Sequence, residues 1–214
     1  MIAGVQRYSI SIAALMYIVL LLPPVQHVLT ASMAAQMLVQ IPLLIAVGWL
    51  LRDALPPRLA AATDAWNHNG ITGLVLATLA TAYWMLPRSL DAAATEALVT
   101  AAKFISVPLL IGLPMGLSWR RMGFVVRGLF ILELVAMFFR LGWLYLISPV
   151  RLCNNYLIGD QQRSGKYMLV IGAAILVWVG VKLLWGHFDA LPDDRLVTPS
   201  HRIGPHQFPD HSDH

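Results

Sequence analysis

The stretch from Arg140 to Val170 gathers the side chains best equipped for chemistry: RLGWLYLISPVRLCNNYLIGDQQRSGKYMLV. It holds the single cysteine, Cys153, the pair Asn154 and Asn155, and the cluster Asp160, Gln161 and Gln162. Arg140 stands inside an apolar run, where a charge is expensive and needs compensation. The groups on offer are a thiol, several amides and a carboxylate. No P-loop, nucleophile triad or H-E-x-x-H accompanies them, so the sequence gives no ground for an enzyme. Two readings of the polar loop stand side by side. One is a solvated connection in which Asp160 caps the last helix, since Asp is a preferred N-cap. The other is a functional mouth, in which Asp160 meets the positive end of that helix and pairs with Arg140 or Lys103.

The elements that must position these groups are apolar. Of 214 residues 58% are hydrophobic and 12% charged, with mean hydropathy +0.68. A soluble domain carries about 25% charged residues. Apolar runs near the ~20 residues that cross a bilayer recur along the chain. The expected fold is therefore all-α, a polytopic membrane bundle of about six transmembrane helices within residues 1–186. Their approximate limits are Ser9–Leu22, Thr30–Leu51, Gly70–Leu86, Ala97–Trp119, Val125–Ile147 and Tyr167–Trp185. The first is read as a retained helix. Its rival is a cleaved signal peptide with Arg7 as n-region and Ser32-Met33-Ala34 as cleavage site. Pro56 to Asn69 reads as a connection. The chain shows no internal repeat, which leans against transport folds built from repeats. Residues 187–214 are polar and aperiodic and are expected to form a disordered cytoplasmic tail.

Charge sets the orientation. One side of a six-span bundle carries Arg7, Arg52, Arg58, Arg120, Arg121, Arg127, Lys182, Arg195 and Arg202, nine in all. The other carries four: Arg88, Arg151, Arg163 and Lys166. The nine-residue side should be cytoplasmic. Both termini then lie in the cytoplasm of a bacterial inner-membrane protein, and the loop around Cys153 faces the periplasm. The pI near 9.5 reflects these scattered topology signals and does not point to nucleic acid.

Three pieces of the sequence resemble the CtaG-type cytochrome c oxidase assembly family. Asp160-Gln161-Gln162-Arg163-Ser164-Gly165, followed by Met168, is similar to its DQQ-x-x-G motif. Trp84-Met85-Leu86-Pro87, with Asp91 four residues on, resembles its W-x-L-P and aspartate. Met33, Met37 and Leu38, then Pro42, resemble its H-M-x-x-H-M-L-L helix. Ser32, Gln36, Thr100 and Phe104 stand where that family has histidine pairs, its presumed copper ligands. The resemblance implies help with biogenesis of a copper-dependent respiratory or other membrane oxidase. Partners would be the lipid bilayer and oxidase subunits.

With the histidines missing, any metal would be Cu(I), held by some of Met33, Met37, Met85, Met168 and Cys153, because thioether and thiolate sulphurs suit soft ions. The same methionines are equally good core filler. Lys103, Glu133 and Arg140 lie within spans and are expected to face the bundle interior. Lys103 and Arg140 would reach outward to Asp91 or Asp160, and Glu133 would use His68 or Arg127. A transporter lined by these three charges and a structural accessory subunit are the alternative functions. The tail histidines His187, His201, His206, His211 and His214 form an irregular set, expected to bind metal weakly if at all.

Overall fold

The computed structural model describes residues 2–67, 69–153 and 155–185, with side chains for all of these except 2–7, Pro57 and Asp64. The tail, His68 and Asn154 lie outside the described residues. Among the described residues the protein is all-helical. We number its helices α1 (Ile2–Leu21), α2 (Pro23–Thr30), α3 (Met33–Ala54), α4 (Pro57–Trp66), α5 (Ile71–Trp84), α6 (Pro87–Thr95), α7 (Ala97–Trp119), α8 (Phe124–Ile147) and α9 (Ile158–Leu184).

Proline and capping side chains set most of the boundaries. Prolines lead α2, α4 and α6, where the missing N–H costs nothing because the first turn has no acceptor for it. The Pro23-Pro24 pair breaks the chain so that α2 leaves α1 at 72°. Ser32 starts α3 by accepting a hydrogen bond from Ala35 N at 3.1 Å. Inside α3 the chain widens into a π turn at Gln36–Gln40, and inside α7 into another at Val107–Gly112. Each lies just before a proline, Pro42 and Pro114. A proline cannot donate to the carbonyl four residues back, and its ring crowds that carbonyl. The extra residue in the turn relieves the crowding.

Among the described residues three helices are long and apolar enough to cross a membrane: α3, α7 and α9. The bent pair α1–α2 makes a fourth if it counts as one span. Helix α5, with 14 residues, is short for the ~20 that a span needs. Helix α8 has 24 residues but carries Arg127, Glu133 and Arg140. The outer surface is apolar, with Leu79, Val125, Leu129, Leu132, Val170 and Val177 all exposed. Exposed apolar side chains in such number fit a membrane or protein contact.

Two glycine crossings bring helices close. A Cβ on Gly48 of α3 would lie 2.1 Å from Pro108 O, and one on Gly112 of α7 would lie 2.3 Å from Ile45 O. Only glycine allows α3 and α7 to meet at that distance. Gly142 of α8 and Gly165 of α9 form the second crossing, where added Cβ atoms would meet the opposing carbonyls at 3.0 and 2.8 Å. Between these crossings lies one contiguous buried cluster, including Met33, Met37, Ile41, Phe104, Ile111, Tyr145 and Met168. The compact unit closes at Trp178; the described chain beyond it is the last part of α9 and Trp185.

Candidate functional site

Residues 148–153 and 155–157, between α8 and α9, fold down onto the end of the bundle. Asn155 N donates to Asp91 Oδ1 at 2.9 Å, and Asn155 Nδ2 donates to Asp91 O at 3.3 Å. Cys153 Sγ donates to Pro87 O at 3.5 Å. The Tyr156 hydroxyl lies 2.7 Å from Gln36 Oε1 and 2.9 Å from Thr30 O, and donates to this pair of acceptors. Gln161 holds the loop from the other side: its Oε1 accepts from Leu152 N at 3.0 Å, while Nε2 donates to Tyr145 O at 3.4 Å. The loop is thus tied to α2, α3, α6, α8 and α9, and is not a free solvated connection.

Burial, and secondarily the Asp91 carboxylate, push the Cys153 thiol up to about 11. Burial likewise raises the Tyr156 phenol to about 12, with Cys153, Asp91 and Asp160 adding to the effect. Both groups are neutral at physiological pH.

Under the loop the bundle interior is polar along one line. Gln36, Gln40 and Lys103 are each 0% exposed. Gln36 accepts from Tyr156 and donates to Leu90 O at 3.4 Å. One helical turn deeper, Gln40 Oε1 accepts from Lys103 Nζ at 2.8 Å. Gln40 Nε2, Tyr145 OH and Ser164 Oγ are buried without a hydrogen-bond partner among the described residues. A second polar knot ties the opposite ends of α5 and α7: Asn67 Nδ2 donates to Ser118 Oγ at 2.8 Å and Asn67 Oδ1 accepts from Gly73 N at 2.9 Å.

Several expectations need correction. Asp160 does not cap α9. That helix starts at Ile158, nine residues before the expected Tyr167, so Asp160 lies in its first turn. Arg140 pairs with Glu133 instead of Asp160, and Lys103 meets Gln40 instead of an acid. Asp91 serves the loop backbone. Nor do Glu133 and Arg140 face inward: their side chains are 55% and 64% exposed. Gln162 is exposed, whereas Gln161 is buried. Of the polar residues that matter most inside, Gln36 entered the sequence reading only as a departure from a histidine pattern, and Gln40 was missed. Their signal was two glutamines four apart in an apolar helix.

The sulphurs are interior as well. Met33, Met37, Met85, Met168 and Cys153 all belong to the buried cluster. No group of three or more His, Cys, Asp or Glu side chains converges among the described residues. The Cys153 thiol is held protonated and donates to Pro87 O. Ser32 and Thr100 also have local duties, Ser32 as the cap of α3 and Thr100 as a donor to Ala93 O at 2.7 Å. Comparison with known protein families, curated proteins and solved structures returns no match.

Proposed function

We propose that this is a six-span inner-membrane accessory protein, termini in the cytoplasm, that assists assembly of a copper-dependent membrane oxidase by lateral contact through α8. The supporting observation is the Glu133–Arg140 ion pair on the exposed side of an otherwise apolar 24-residue helix. Hydrocarbon does not stabilise an exposed ion pair, whereas a neighbouring protein helix with polar groups does. Leu129, Leu132, Trp143 and Leu144 surround the pair and are exposed too. Such a mixed face fits a partner better than it fits lipid. The chemical resemblance of the 84–91 and 160–165 pieces to an oxidase assembly family supplies the identity of the client. Both pieces meet at the 148–157 loop, through Pro87, Asp91 and Gln161.

Photo-crosslinkers at Leu132 and Leu144 in native membranes test the reading. Adducts with an oxidase subunit are expected, together with a fall in oxidase copper content when Glu133 and Arg140 are both changed to Leu. Crosslinks to lipid alone, with oxidase assembly intact in that variant, would overturn it. Cu(I) retained under reducing conditions by the chain truncated after Gly186 would instead favour direct copper handling by the five sulphurs. The competing transporter reading draws on the buried line Gln36, Gln40 and Lys103 alone.

A further inference from the structure

Lys103 is fully buried, and its one hydrogen-bond acceptor among the described residues is Gln40 Oε1. Among the described residues no carboxylate or phenolate stands beside it to balance an ammonium charge: Asp91 is turned to Asn155, and Glu133 to Arg140. The face of Phe104, 5.8 Å from Nζ, offers a weak cation–π contact.

The Lys103 contact also fixes the Gln40 amide. An ammonium donates, so it must meet Oε1, which turns Nε2 the other way. Nε2 is buried there with no acceptor. An ammonium has three N–H bonds and an amide nitrogen two. Among the described residues, two donors of Lys103 and both of Gln40 Nε2 therefore have no acceptor. A buried unmet donor is costly, and a buried unbalanced charge more so. The set lacks an acceptor that carries negative charge.

We infer that Lys103 and Gln40 form a binding site for a small monoanion inside the bundle, between α3 and α7. The anion accepts from Lys103 Nζ and Gln40 Nε2 and neutralises the ammonium. One turn outward of it, Gln36 accepts from Tyr156 of the 148–157 loop. The π turn at Gln36–Gln40 serves the same end. It places Gln36 and Gln40 together on the buried side of α3 with Met33, Met37 and Ile41.

Chloride is the probe. The purified full chain in lipid nanodiscs is melted in chloride and in gluconate at equal ionic strength, and the Lys103 Nζ is followed by ¹⁵N NMR. The expected result is a chloride-dependent rise in Tm that saturates, an ammonium resonance for Lys103, and loss of the chloride dependence in Lys103→Met. Gln40→Leu removes the amide donors and should weaken the apparent chloride affinity about tenfold. It also serves if Lys103→Met fails to fold. A neutral amine at Lys103 with a chloride-independent Tm overturns the site. So does a chloride effect of equal size in the wild type and in Gln40→Leu.

Discussion

Cys153 has an environment that makes its chemistry testable. It is 2% exposed, and its thiol is raised from an ordinary 9.0 to about 11. Alkylation of the native protein at pH 7.5 should be slow, and should quicken as the pH climbs toward 11 and thiolate appears. Asp91→Asn keeps an oxygen to accept from Asn155 N but removes the charge that helps raise the thiol. Alkylation at any fixed pH should then be faster; an unchanged rate would mean that the Asp91 charge is irrelevant. The same shifts act on stability. Cys153 and Tyr156 both have raised folded values, so the folded state holds its protons longer than the unfolded chain does. Their contribution is complete below about pH 9 and is lost as the pH rises toward 11 and 12. Tm should fall over that alkaline range, less steeply in Tyr156→Phe. Within the 160–162 cluster the sequence reading gave the leading role to Asp160, and the structure gives the buried, bonded one to Gln161. Gln161→Leu strands Leu152 N and Tyr145 O, at about 1–3 kcal/mol for a buried unmet group. Asp160→Asn and Gln162→Ala should change Tm little. Motif spacing could not distinguish these roles, because burial depends on where α9 begins, and its first nine residues are too polar to register as part of a span.

Among the elements, α3, α5, α7, α8 and the greater part of α9 were legible because hydropathy alone marks them. Helices α4 and α6 were not: each is short and polar, and each opens on a proline, which reads equally as a breaker and as a first helical turn. The packing of α3 on α7 was also invisible in sequence, since it rests on Gly48 and Gly112 facing carbonyls across a gap. Gly48→Ala places a methyl 2.1 Å from Pro108 O, so the helices must part. That change should lower Tm more than a typical core substitution. Gly128→Ala in α8 meets nothing within 4 Å and should leave stability unchanged or raise it by about 1 kcal/mol, the usual helix gain of Ala over Gly. Equal melting of the two variants would show that the α3–α7 crossing is looser than drawn.

For the whole molecule the open quantity is which end faces out. On the six-span topology expected from the sequence, nine Lys and Arg fall on the side of the α7–α8 turn and four on the side of the 148–157 loop, and such an excess is expected in the cytoplasm. The fold adds a reason for care in choosing the reporter. Cys153, the natural probe, is buried and held as a thiol, so its silence toward a reagent says nothing about sidedness. Val150 lies in the same loop and is 62% exposed, and Val150→Cys in a Cys153→Ala background reports the same face without that obstacle. Leu59, on α4 at the opposite side, is 56% exposed and supplies the counterpart, Leu59→Cys. In intact spheroplasts an impermeant maleimide should label position 150 and spare position 59 until the membrane is broken. The reverse pattern would put the loop, Tyr156 and the line leading to Lys103 in the cytoplasm. It would also overturn the cytoplasmic termini of the proposed reading, while the lateral contact through α8 and the anion site, which rests on Gln40 and Lys103 alone, would stand.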